Sequence, residues 1–361
     1  MANFGIYIHW PYCQSKCPYC DFFSKVKPGI DQNAIVQNYL DDLDYYAALT
    51  SERTVTSVFF GGGTPSLLRP ELIARILDRI SARWHMAPDA EISLEANPGS
   101  NTPTLFSDLK NAGINRLSLG VQALNTADLK FLGRRHSLQQ ALEALEQITH
   151  TFDNHSADLI YARPDQKLPD WERELRQITS FGLRHLSLYQ LTIEPGTLFY
   201  KQGIKALKEN AAATMYEATN AFLEQAGYPR YEISNYSRSG WNCRHNLLYW
   251  QGDDYLGIGP AAHGRLKLNN QHYALSYHRK MELLTPFERA EELLLMGLRL
   301  SSGIDKQNFH SACGLEFDRF INAVSRDKLI AEGYLTDSLH SLCATLAGFN
   351  ILNYLIEQLC P

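Results

Sequence analysis

A chain of 361 residues can bury a full core and hold one large domain with a smaller one beside it. Its 45% hydrophobic and 20% charged residues are the mix of a soluble globular protein, and a net charge of −5 argues against nucleic acid as a partner, which calls for a basic surface. No apolar run reaches the ~18 residues of a membrane span, no secretory signal pattern opens the chain, and seven cysteines, three of them in one short loop, fit a reducing, cytoplasmic setting and not a disulfide framework.

Residues 4–10 alternate apolar positions and predict a strand that ends at the cysteine loop. Residues 30–49 carry a helical stripe at Ile35, Tyr39, Leu43 and Tyr46. A β-branched and aromatic run at 55–60 stops at Gly61-Gly62-Gly63, and 70–83 is again helical. Then come a strand at 91–96 ending in Asn97-Pro98-Gly99, a helix at 105–112 closed by Gly113, and a strand at 116–122. A helix at 138–149, a strand at 156–161, a helix at 169–181 closed by Gly182 and a strand at 185–191 complete the series.

About six strand–helix units predict a parallel sheet and are too few for a closed eight-stranded barrel. The expected fold is α/β, a partial, three-quarter β6/α6 TIM-type barrel over 1–227. Chemistry in such folds gathers at the carboxyl ends of the strands. The 13–20 loop, the 61–65 segment, Glu95, Gln122 and Asp158 all fall there. Each glycine or proline cluster taken singly is an ordinary loop, but that reading does not explain why polar residues recur at strand ends.

Residues 211–225 predict a helix. From Tyr228 to Tyr273 the segments become short, aromatic and glycine-rich, which sets apart a junction at 228–286. Helices expected at 287–300, 317–332 and 346–359, with a hairpin at 334–336 and 340–344, make 287–361 a smaller α+β, winged-helix-like domain. Residues 288–361 hold six basic against ten acidic side chains, a balance suited to packing and docking and not to DNA.

Cys13, Cys17 and Cys20 stand in the order C-x3-C-x2-C, with Asp21-Phe22 where a fourth cysteine would extend the series. Three thiolates can hold three irons of a [4Fe–4S] cluster and leave the fourth open to a small molecule. A zinc site closes with four protein ligands, and spacing alone leaves open a zinc loop completed by His9 or Cys243. Cys313, Cys343 and Cys360 read as small apolar residues. The Gly61-Gly62-Gly63-Thr64-Pro65 segment lets backbone approach a ligand closely, and it lacks the G-x4-G-K-[S/T] and G-x-G-x-x-G patterns of phosphate loops. Taken singly, Glu95, Gln122, Arg134 and Asp158 are ordinary solvated polar residues. His245-Asn246-Leu247-Leu248-Tyr249-Trp250 joins an imidazole to two flat aromatic surfaces; it reads either as a heme site or as polar groups and core at a domain junction.

The Ile6-Tyr7-Ile8-His9-Trp10-Pro11-Tyr12-Cys13 segment, with Lys16-Cys17-Pro18-Tyr19-Cys20-Asp21-Phe22, resembles the cluster loop of radical S-adenosylmethionine (SAM) enzymes, and among them the HemN/HemW group. The resemblance implies a [4Fe–4S] cluster on Cys13, Cys17 and Cys20. It implies SAM chelating the open iron through its amino nitrogen and carboxylate, and cleavage to methionine and a 5′-deoxyadenosyl radical. By the same resemblance Gly62, Gly63 and Thr64 belong to the segment that holds the amino group of SAM, and Tyr7, Glu95, Gln122, Arg134 and Asp158 to the same site. Arg134 would pair the SAM carboxylate with its planar fork; the adjacent Arg135 is the alternative register. Where the group usually shows Gly-Leu this chain has Ala162-Arg163, a cation turned either to the substrate side of the pocket or to solvent.

Two functions lie within that group: oxygen-independent coproporphyrinogen III dehydrogenase, as in HemN, and heme chaperone, as in HemW. Phe22 stands where the dehydrogenases carry a fourth cysteine, and only twelve residues precede Cys13. The 245–250 segment matches the HNxxYW motif of the HemW group, with Tyr255-Leu256-Gly257-Ile258-Gly259 and Ala262-His263-Gly264 beside it. These features favour the chaperone. Its expected cofactors are the [4Fe–4S] cluster, SAM and heme, the last held by His245, Tyr249 and Trp250, with Cys243 and His263 as alternative axial ligands. The expected partners are apo-hemoproteins such as respiratory enzymes; peripheral membrane contact and a homodimer stay open.

Overall fold

In the computed structural model, which describes residues 3–100 and 104–361, the parallel ladder starts with β1 (Phe4–Trp10). It continues through β2 (Thr54–Gly62), β3 (His85–Ala96), β4 (Arg116–Gln122), β5 (Asn154–Tyr161) and β6 (His185–Gln190), each parallel to the one before. β7 (Asn235–Ser237) adds to β6 antiparallel. On the other side β8 (Asp254–Ile258) runs parallel to β1, followed by antiparallel β9 (Gly264–Leu268), β10 (Gln271–Ser276) and β11 (Lys280–Leu284). One eleven-stranded sheet results, and among the described residues β1 and β6 do not meet. The parallel ladder with covering helices is the expected α/β arrangement, lengthened at both ends by chain from the 228–286 segment.

β1 is largely buried on both faces, with Phe4, Ile6, Ile8 and Trp10 in the core on one and Gly5, the half-buried Tyr7 and His9 on the other. The covering helices are α1 (Gln32–Thr50), α2 (Pro70–Arg83), α3 (Leu105–Asn111), α4 (Thr126–Phe131), α5 (Leu138–Thr151) and α6 (Leu168–Ser180). Asp31 caps α1 by accepting from the Ala34 amide, and Ser137 with Gln140 forms a capping box on α5. α4, which the apolar pattern did not predict, starts where Asn125 accepts from the Asp128 amide. After β6 come α7 (Leu198–Lys201) and α8 (Glu209–Gln225), and α9 (Arg244–Gln251) leads into β8. The HNxxYW segment is therefore a helix, ended by Gly252 in the left-handed region at φ 73°.

The C-terminal part begins with α10 (Pro286–Gly297), started by a capping box between Thr285 and Glu288. It continues with β12 (Ile304–Asp305), α11 (Lys306–Cys313), α12 (Phe317–Phe320), α13 (Ala323–Ala331), β13 (Leu335–Asp337), β14 (Ser341–Ala344), α14 (Leu346–Phe349) and α15 (Leu352–Leu359). The β13–β14 hairpin forms as expected and gains β12 as a third strand. Two expected helices are each broken. The 317–332 helix divides because the Asn322 side chain accepts from the Ser325 amide and starts a new helix. The 346–359 helix divides at Ile351, which leaves helical backbone at φ −123°, ψ 28°.

Candidate cluster and cofactor site

The cysteine loop leaves the carboxyl end of β1 and is pinned at its base. The Lys25 amide donates to Pro11 O at 2.7 Å and the Cys13 amide to Lys25 O at 3.0 Å. Gly63 and Thr64, leaving β2, donate their amides to Trp10 O (2.7 Å) and Tyr12 O (2.9 Å). A Cβ on Gly63 would lie 2.8 Å from Tyr12 O, and one on Gly62 2.6 Å from the His9 ring. The glycines thus serve first to seat the cysteine loop on the strand end. The Gly62 amide is also taken, by Glu95 Oε2 at 3.2 Å.

Cys13, Cys17 and Cys20 are free and open into a cavity of about 380 Å³. Gly62, Gly63, Thr64, Glu95, Gln122, Arg134 and Asp158 line the same cavity. Six stretches of chain, the 13–20 loop and the ends of β2 to β5 with the turn after α4, deliver these groups to one place. Arg134 makes the densest contacts. Nη1 donates to Cys17 Sγ at 3.3 Å and to the Tyr19 hydroxyl at 3.4 Å, and Nη2 to Gly120 O at 2.9 Å and to Asn97 Oδ1. Arg135 is exposed and reaches Gln14 O at 3.4 Å, so Arg134 is the arginine that faces the cavity. Gly133 makes the approach feasible. It sits at φ 65°, and a Cβ there would lie 2.6 Å from Pro18 Cδ. Gln122 is held at φ 71° where the β4–β5 register shifts, a strained placement for a residue other than glycine.

Burial, and next the charge of Asp158, raise the Glu95 carboxyl to about 8. Burial also raises Asp158, against hydrogen bonds from Ser187 and Ser118, whose Oγ lies 2.9 Å from Asp158 Oδ1. At neutral pH the Glu95 side chain is therefore mainly a neutral acid, able to donate as well as accept.

Glu95, Asp158 and Tyr189 also line a second cavity of about 260 Å³ deeper in the barrel. Tyr7, Arg116, His245 and Tyr249 lie around it. The Tyr7 hydroxyl meets His9 Nδ1 at 3.1 Å. His245 is 1% exposed, and both its ring nitrogens are engaged: Nδ1 with Ser57 Oγ at 2.8 Å, Nε2 with the Tyr249 hydroxyl at 2.6 Å. Burial, with Arg116 nearby, lowers His245 to about 3, so the ring is neutral. Trp250 lines neither cavity; its ring faces Arg299, whose guanidinium carbon is 5.8 Å away. One helix thus sends His245 and Tyr249 into the barrel and Trp250 toward the C-terminal part.

The rival zinc ligands are occupied elsewhere. His9 Nε2 meets Phe23 O at 3.0 Å, and the Cys243 thiol, raised to about 12 by burial, lies 3.5 Å from Glu91 Oε1. Among the described residues no three His, Cys, Asp or Glu side chains converge as ligands of one ion. A cubane takes its three thiolates on three different irons. The three-cysteine loop with its open side fits a [4Fe–4S] cluster.

Sequence reasoning missed Asn97, Tyr19, Tyr189 and Arg116. Asn97 donates to Thr64 Oγ1 at 3.2 Å and accepts from Arg134, linking two strand ends. Its place directly after a strand was the available signal. Arg163 turns neither to the pocket nor to solvent: it is 1% exposed and paired with Asp128 and Glu174.

Residues 7–178 match the radical SAM superfamily, and residues 284–351 match the HemN C-terminal domain. The chain is 37% identical to the heme chaperone HemW of Escherichia coli K12, over 98% of this chain and 97% of that protein. The protein belongs to the HemW family of the radical SAM superfamily. The chain is also 35% identical to the mitochondrial radical S-adenosyl methionine domain-containing protein 1 of Mus musculus, over 99% of this chain and 87% of that one. The solved structure of Escherichia coli coproporphyrinogen III oxidase (HemN), a radical SAM enzyme, superposes with a TM-score of 0.81 at 19% identity, covering 99% of this chain and 90% of that one. At that identity the likeness concerns the fold. A [4Fe–4S] cluster and SAM are the cofactors that membership of the superfamily implies. No helix among the described residues is long and apolar enough to cross a membrane.

Proposed function

We propose that this HemW-family protein is a cytoplasmic heme chaperone that binds a [4Fe–4S] cluster, SAM and heme, and delivers heme to apo-hemoproteins. The observation that carries the SAM part is the shared cavity: three thiols on one loop face Gly62, Gly63, Thr64, Glu95, Gln122, Arg134 and Asp158 across about 380 Å³. The cluster, when bound, supplies an open iron and the electron that SAM cleavage requires. The chain's own groups do the rest. Arg134 has a fork suited to a carboxylate; Cys17, Tyr19, Asn97 and Gly120 take its four Nη hydrogens, so it meets a carboxylate by releasing Nη2 from Asn97 and Gly120 while Nη1 keeps Cys17. Neutral Glu95 supplies a donor or an acceptor without adding charge beside Asp158. Tyr7 contributes from the deeper cavity that Glu95 and Asp158 border.

Heme enters this reading through the relative named for it and through the HNxxYW helix. His245 is assigned as an axial ligand and Tyr249 as an aromatic contact; Trp250, which lines neither cavity and faces Arg299, serves as a second aromatic contact only by turning from that face. With Nε2 bonded to the Tyr249 hydroxyl, ligation by His245 requires that hydroxyl to swing away. His263 is solvent-exposed and Cys243 buried, which makes His263 the accessible alternative. Titration of heme into the parent, His245→Ala, His263→Ala and Trp250→Ala proteins tests the assignment. Loss of an axial ligand changes the Soret band, whereas loss of Trp250 weakens binding and leaves the band shape nearly intact. No saturable heme binding by the parent protein would end the chaperone reading. The dehydrogenase alternative fits less well, because Phe22 occupies the fourth cysteine's place.

A further inference from the structure

Gln122 and Arg134, which both face the cofactor cavity, are the two ends of one stretch of chain, and that stretch is gripped from behind by a buried ion cluster. Arg163 Nη2 lies 3.0 Å from Asp128 Oδ2 on α4 and also pairs with Glu174 Oε1 on α6. Its Nη1 donates to Ile160 O at 2.8 Å. Glu174 in turn accepts from the Leu124 amide at 2.9 Å. Leu124 stands two residues past Gln122, Asp128 lies midway along the stretch, and Gly133 and Arg134 end it against the cysteine loop. The grip therefore holds the stretch at its start and its middle, while Pro18 and Cys17 receive its far end.

One guanidinium serves two carboxylates and a carbonyl, which needs the planar, multi-donor fork of arginine. The chain turns at Ala162, whose φ of 54° is costly for alanine, and this turn sends Arg163 back between α4 and α6. An apolar side chain at 163 would fill the space without setting direction.

We propose that Arg163 is a positioning residue for SAM. With Asp128 and Glu174 it sets how the 122–134 stretch sits over the strand ends, and so aims Gln122 and Arg134. The inference rests on the SAM site proposed above. α4 has only six residues, too short to hold a fixed orientation by its own hydrogen bonds, so outside anchors hold it: Leu129 and Leu132 pack with Ile160, Leu191 and Phe199, and the pairs to Arg163 fix its polar side.

The test uses full-length protein reconstituted anaerobically with iron and sulfide. Asp128→Asn removes the charge of the outer arm, which also accepts from Asn125 Nδ2 at 2.6 Å, and leaves the buried Arg163–Glu174 pair intact; Arg163→Lys keeps the charge and loses the fork. Asp170→Asn, at the exposed Arg173 pair on α6, is the control. Iron content, melting temperature, SAM affinity by calorimetry and the SAM-induced change in the reduced-cluster EPR spectrum are read for each. Asp128→Asn and Arg163→Lys should load iron like the parent and bind SAM roughly tenfold more weakly, as loss of a supporting partner does at ligand sites. Their SAM-induced spectra should be altered, and Asp170→Asn should match the parent. Parent-like SAM affinity and spectra in Asp128→Asn overturn the inference, even where its melting temperature falls, because the cluster is then a stability feature only. Should Arg163→Lys fail to fold, Asp128→Asn decides. If the parent protein binds no SAM while Arg134→Ala is equally silent, the SAM site itself is wrong and the positioning role falls with it; binding by the parent that Arg134→Ala loses and Asp128→Asn keeps sinks the positioning role alone.

Discussion

Arg134 donates from Nη1 to the sulfur of Cys17 at 3.3 Å, although the two residues lie 117 positions apart. The contact makes one side chain common to the thiolate loop and to the strand ends.

Arg134→Ala should therefore weaken SAM binding more than a surface change does. A charge-assisted fork is worth about 1.5–3 kcal/mol, which corresponds to roughly tenfold or more in affinity. Calorimetry on reconstituted protein measures it. Equal affinity in parent and variant would remove Arg134 from the site.

Gly133→Ala tests the seat of the cluster loop. The new Cβ would meet Pro18 Cδ at 2.6 Å at a backbone φ of 65°. The left-handed strain alone costs about 1–2 kcal/mol, and the clash pushes Pro18 and the adjacent Cys17 outward. We expect a lower melting temperature and a smaller iron yield on reconstitution. Full iron content with the parent's melting temperature would show that the loop yields freely.

Glu95 predicts a definite pH response. Its carboxyl rises from an ordinary 4.5 to about 8 on folding. Between those values the native chain keeps a proton that the unfolded chain has lost, so stability falls as pH rises. This contribution is fully present below about 4.5 and gone near 8, and amounts to the order of a few kcal/mol. Glu95→Gln removes it, so the variant should gain on the parent steadily from about pH 5 to pH 8 in urea unfolding of cluster-free protein. Parallel stability curves would contradict the neutral Glu95.

Phe22, 63% exposed beside the cavity, occupies the position of the dehydrogenases' fourth cysteine. With SAM and a reductant, the reconstituted protein should form no protoporphyrinogen from coproporphyrinogen III. Catalytic formation of that product, followed by chromatography, would reverse the choice between the two activities of the group.

Much of this site was legible along the chain because its signals are local. C-x3-C-x2-C is a spacing within one loop, and Glu95, Gln122 and Asp158 each end a strand whose apolar pattern marks where it stops. Parallel strands point their carboxyl ends the same way, so a pattern of strand ends already implies convergence. Arg134 needed more: its neighbour Arg135 looks equivalent in sequence, and only the turn at Gly133 against Pro18 decides which of them faces inward.

Other features depend on which surfaces meet across the fold. The sequence by itself determined a run of strand–helix units, a three-thiolate loop at the end of the first strand and an HNxxYW segment, since each rests on period or spacing among near neighbours. Only the tertiary structure decided that β8 joins β1, that His245 is buried against Ser57 and Tyr249 while Trp250 faces Arg299, and that Arg163 is enclosed by Asp128 and Glu174. The reason is physical. A charged or polar side chain carries no mark of its partner in the local pattern, and burial becomes tolerable only when distant elements bring the compensating charge or hydrogen bond to it.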